Sequence, residues 1–129
     1  MRADRRELTA IFAGGFVGTL MRAGMVELLP PDPGQWPWAT FAVNVAGAAL
    51  LGYVVTRFHA HLSDVRRSLL GTGLCGALTT FSAFQLELLE LLDAGRPGLA
   101  LVYAGASIAA GVTAGAVAAR LTRRVQVAA

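Results

Sequence analysis

Lysine is absent from this 129-residue sequence, carboxylates number only eight, and there is a single cysteine. Each shortage excludes something. Cys75 alone cannot close an internal disulfide, and it stands in an apolar run where a small packing residue fits. With 15% charged residues against 55% hydrophobic ones and a mean hydropathy of +0.57, the chain is too apolar for an ordinary soluble domain. All 11 basic residues are arginine. They flank apolar stretches instead of forming a basic face, which argues against nucleic acid as a partner despite a pI of about 10.0 and points to membrane lipid headgroups. No nucleophile–base arrangement, phosphate loop or paired carboxylate in an apolar stretch is present, so the chain reads as a non-enzyme. His59 and His61 have ligand spacing but no converging Cys or carboxylate cluster, and no metal site is assigned to them.

What is present is long apolar runs. A helix crossing the hydrocarbon core needs about 20 mostly apolar residues. Four such stretches occur, near 8–29, 38–58, 68–92 and 99–121, within one domain covering 1–129. The fold class is therefore an all-α membrane protein with four transmembrane helices. Pro30, Pro31 and Pro33 end the first stretch, and Trp36 and Trp38 mark a membrane interface. Connectors this short make neighbouring helices antiparallel. Arg2, Arg5, Arg6, Arg57, Arg66, Arg67, Arg120, Arg123 and Arg124 fall on one side, and Arg96 on the other. Such a bias places both termini in the cytoplasm of a multi-pass plasma-membrane protein. Small-residue pairs, Gly14 with Gly18, Ala48 with Gly52 and Gly111 with Gly115, predict close helix packing. Four short helices hardly enclose an aqueous path alone, so a second copy or a relative is expected alongside.

Polar groups at membrane depth are costly and usually face a bundle interior or a solute path. Asn44 sits mid-span; its amide serves either a helix–helix hydrogen bond or the path, and the second use is favoured. Arg22 lies within the first span, where its charge needs water, a carboxylate such as Glu27, or an anion. In the third span, Gly71, Gly73 and Gly76 precede Thr79-Thr80-Phe81-Ser82-Ala83-Phe84, a pattern that predicts a helix broken mid-membrane. Phe81 and Phe84 share a helical face, and aromatic edges are positive enough to touch a desolvated anion. Tyr103 and Ser107 stand four apart on the fourth span, with Gly111 continuing the row. Glu87 and Glu90 are expected near the water interface.

Taken in order, Gly14-Gly15-x-x-Gly18-x-x-x-Arg22, Asn44-x-x-Gly47 and Gly73-Leu74-Cys75-Gly76-Ala77-Leu78-Thr79-Thr80-Phe81-Ser82-Ala83-Phe84 closely resemble the fluoride-specific channel family called Fluc or CrcB. The resemblance implies an antiparallel dimer with two fluoride pores, exporting cytoplasmic fluoride and so protecting against its toxicity. It also implies one structural sodium ion at the dimer centre, held by the backbone carbonyls of Gly76 and Thr79. Asn44 would be a pore donor, Phe81 and Phe84 the ring-edge pair, and Ser82 and Thr80 the polar groups beside them. Tyr103 and Ser107 would be the hydroxyl track, Arg22 the arginine at the mouth, and Glu87 the acid after the Phe-Ser-x-Phe run. Gly111 stands where the track usually has a third hydroxyl, and Ala77 and Ala83 replace the usual Gly and Thr.

The nine-to-one arginine bias argues against one sequence inserting both ways, and so predicts pairing with a homologous subunit of opposite bias. The rival reading is a small four-span, dual-topology exporter of drugs or cations, whose proton coupling needs a carboxylate deep in the first span. Arg22 and a peripheral Glu27 stand there instead.

Overall fold

The computed structural model of the chain describes residues 4–30, 32–58 and 63–128; Arg2, Pro31, His59 and His61 lie outside them. The described residues form α1 (Arg5–Leu28), α2 (Trp38–Phe58), α3 (64–78), α4 (Phe81–Asp93) and α5 (Pro97–Ala128). Among the described residues, four segments are long and apolar enough to cross a membrane: Arg5–Leu28, Trp38–Arg57, Asp64–Asp93 and Pro97–Val125. These agree with the expected spans, with α3 and α4 together making the third.

Local chemistry sets the helix ends. The Asp4 carboxylate accepts the Arg6 N–H at 3.1 Å and caps α1, and Glu7 adds negative charge to its positive first turn. At the end of α4, Gly95 takes φ +70°, a conformation that costs glycine little. Its N–H reaches the Leu92 carbonyl while the Arg96 N–H reaches Leu91, both at 2.9 Å, a Schellman closure. Pro97 then opens α5 at the first position, where its missing N–H costs nothing.

The helices pack in two close pairs. α1 lies on α3, with Gly14 against the Leu69 carbonyl and Gly18 against that of Leu74. α2 lies on α5, with Gly52 against the Gly115 carbonyl. A side chain at any of these three glycines would overlap backbone, so the small-residue pattern sets interhelical distance. Gly111 differs: nothing lies within 4 Å of where its Cβ would stand, so the packing expected of the Gly111–Gly115 pair rests on Gly115. The most apolar windows of the four spans bury only 17%, 28%, 17% and 11% of their residues, and Phe12 and Leu101 are 77% and 75% exposed. A single chain thus turns most of its apolar surface outward, as a lipid-facing or subunit-facing protein does.

The third span departs from a plain helix twice. Ser68–Cys75 is wound as a π-helix, its Gly76 cap N–H reaching the Gly71 carbonyl five residues back. At Thr79 (φ −78°, ψ 148°) and Thr80 (φ −143°, ψ 120°) the backbone is extended, separating α3 from α4 near the middle of 64–93.

Candidate functional site at the interrupted helix

An extended pair inside an apolar span leaves backbone groups without helical partners, a cost that must be met by side chains. Asn44, from the first third of α2, meets it at Thr80. Its Oδ1 accepts the Thr80 N–H at 2.8 Å and its Nδ2 donates to the Thr80 carbonyl at 3.1 Å. The helix–helix bond weighed for this residue is therefore made, to backbone. A carboxamide has two N–H donors, so one remains available. Gly47 lets the two elements approach, since a Cβ there would overlap the Thr79 methyl. From the other side, Arg22 of α1 donates its Nε to the Ala77 carbonyl at 3.3 Å, placing positive charge at the C-terminus of α3.

The Thr80 hydroxyl caps α4 by accepting the Ala83 N–H at 3.2 Å, and it lies 3.3 Å from the exposed Ser82 hydroxyl. These caps have a further effect. In a continuous helix the Thr80 and Ala83 amides would bond the carbonyls of Gly76 and Thr79. Here Thr80 N–H is turned to Asn44 and Ala83 N–H to Thr80 Oγ1, so both carbonyls lose their helical donors. Gly76 is exposed, with open space where a side chain would be. Two carbonyl oxygens released in this way fit a hard cation such as sodium.

Phe81 and Phe84 stack with centroids 5.8 Å apart and planes at 30°. They do not share an environment: Phe84 is 8% exposed, packed against Tyr103 at 5.4 Å, whereas Phe81 is 70% exposed. Tyr103 is fully buried, its ring edge-on to Trp36 at 5.3 Å. One turn on, Ser107 Oγ is buried without a hydrogen-bond partner among the described residues.

Glu87 is bound more closely than a place near the water interface requires. It is half-buried, and both its oxygens accept hydroxyls: Thr40 Oγ1 donates at 2.5 Å and Tyr103 OH at 2.7 Å. Three helices converge on one carboxylate, which also borders a small opening lined by Asp32, Gln35 and Glu90. Thr40 was not singled out from the sequence. The available signal was its spacing, one turn before Asn44 on the same face of α2.

Four apolar spans and a polar site built on an interrupted helix define a small multi-pass membrane protein. The chain matches the family described as "CrcB-like protein, Camphor Resistance (CrcB)" over residues 9–119, and it belongs to that family. It is similar to "Fluoride-specific ion channel FluC 1" of Mycobacterium bovis, 52% identical over 126 residues covering 96% of each chain. It is 40% identical to "Fluoride-specific ion channel FluC" of Stutzerimonas stutzeri over 81% of this chain and 87% of that one. With "Fluoride-specific ion channel FluC 2" of Thermobifida fusca it shares 36% identity over 92% and 93%.

Proposed function

We propose that the chain is a subunit of a fluoride-selective passive channel through which cytoplasmic fluoride leaves the cell. The observation that carries this reading is the break at Thr79 and Thr80, clasped by Asn44, in a chain whose relatives are named fluoride channels. Fluoride is small and strongly hydrated, so a pore must replace its water with hydrogen-bond donors without a positive trap that holds the ion. The free N–H of Asn44, the hydroxyls of Thr80, Ser82 and Ser107 and the ring edges of Phe81 and Phe84 supply this. The Tyr103 proton is committed to Glu87, which leaves Ser107, its Oγ buried and without a partner among the described residues, as the donor of that pair. Arg22 adds attraction at the mouth while its Nε serves Ala77. Fluoride enters as neutral hydrogen fluoride and dissociates inside, so a passive anion path is sufficient for export. The rival exporter is not favoured, since the first span offers no deep carboxylate.

The subunit pairs antiparallel. Gly76 and Thr79 of each chain face a structural sodium ion at the centre, whose chemistry is a fixed positive field beside the pores. The diverted Thr80 and Ala83 amides support that assignment. Nine arginines at one end against one at the other support a partner that is homologous but of reversed bias. Fluoride efflux from liposomes, followed with a fluoride electrode and compared with chloride, tests the reading. Fast fluoride release without chloride from the co-expressed pair is expected, and release of both ions, or of neither, overturns it. Reporters fused to the two termini test the pairing: a single orientation is expected, and half-and-half insertion points to a homodimer.

A further inference from the structure

α2 and α5 touch backbone to backbone at Gly52 and Gly115. Toward the arginine-rich end the pair then leaves a pocket lined by Tyr53, Arg57, Leu121, Thr122 and Val125, with a volume of about 240 Å³. A water occupies roughly 30 Å³ of the liquid, so the space suits a length of chain better than a single ion. Its walls are of two kinds. Tyr53 and Arg57 stand one turn apart on α2, and Leu121 and Val125, 56% and 69% exposed, one turn apart on α5. The Thr122 hydroxyl is already donated to the Ala118 carbonyl at 2.7 Å. Residues 38–58 and 97–129 contain no Asp or Glu, while Arg57, Arg120, Arg123 and Arg124 all stand at this end. A guanidinium has five N–H donors, so a neighbour already held by Arg57 does not exhaust it.

We propose that this pocket binds one anionic phospholipid, its phosphate on Arg57 and an acyl chain along Leu121 and Val125. An aromatic ring and a cation at the rim of an apolar wall match an amphiphile with a negative head, and basic recesses between helices at the arginine-rich end suit such headgroups. This site is independent of the conduction reading. It differs from the diffuse attraction that arginines have for anionic membranes, because it requires the recess itself.

The test uses the full chain in neutral detergent with equal amounts of phosphatidylglycerol and phosphatidylcholine, counting lipids retained by native mass spectrometry. One phosphatidylglycerol per chain is expected, preferred about fivefold. Arg57→Gln should erase the preference, and Arg96→Gln, at the opposite end, should keep it. Leu121→Trp fills the recess with every arginine in place, and it should release the lipid. Equal retention of the two lipids by the unaltered chain overturns the proposal, as does undiminished retention by Leu121→Trp.

Discussion

Asn44 and Thr80 are joined by two hydrogen bonds, one accepted and one donated by the same carboxamide, so that a side chain of α2 replaces the helical partners of a residue 36 positions away. The interruption of the third span and the polar residue of the second are therefore one structure. Neither is tolerable at membrane depth without the other.

Asn44→Ala leaves the Thr80 N–H and carbonyl unpaired, at a cost of about 1–3 kcal/mol for each group that stays dry. A lower midpoint of thermal unfolding and a fall in fluoride efflux of at least about tenfold are expected. Asn44→Asp keeps the acceptor for Thr80 N–H but loses the donor. Its stability should lie between the two, while efflux stays low because an anion would meet a carboxylate.

The Glu87 network predicts coupling. Tyr103→Phe keeps the buried ring and removes one donor, and Glu87→Gln turns one of the two accepting oxygens into an N–H donor. In a double-mutant cycle on unfolding free energy, the two should couple by about 1 kcal/mol. Additivity within about 0.3 kcal/mol would show that the Tyr103–Glu87 bond contributes nothing.

Gly52→Val drives a side chain into the Gly115 carbonyl. Separating the α2–α5 pair should cost roughly 1–3 kcal/mol, seen as a lower melting temperature in detergent. Gly111→Ala meets open space, and removing a helical glycine should leave stability unchanged or raise it by about 0.5–1 kcal/mol.

Arg22→Met keeps much of the stem but removes the donor to Ala77 at the end of α3. A stability loss of about 0.5–1.5 kcal/mol is expected by thermal unfolding. A variant as stable as the parent would mean that water replaces the guanidinium at that carbonyl.

Much of this was legible in the sequence, and the limits have physical causes. Apolar length gave four spans, and the glycines before Thr79-Thr80 gave the break, because composition acts locally there. The π-winding of Ser68–Cys75 was not legible, since a bond to the fifth residue back leaves no residue signature. Asn44 was recognised as costly, but its partner is a backbone group that becomes available only once the helix is interrupted. The partners of Glu87 were not legible, because the hydroxyls satisfying it come from α2 and α5, 47 and 16 positions away. Phe81 and Phe84, three apart, read as one face, yet only Phe84 reaches the core around Tyr103.

The 32 residues of α5 make a rod about 48 Å long, against a hydrocarbon slab about 30 Å thick. Its first basic side chain is Arg120, so the stretch before it spans about 34 Å and the last turns project into the headgroups. A thin bilayer makes such a rod lean and a thick one lets it stand upright. Any lean is shared by α2, which α5 touches at Gly52 and which carries Asn44.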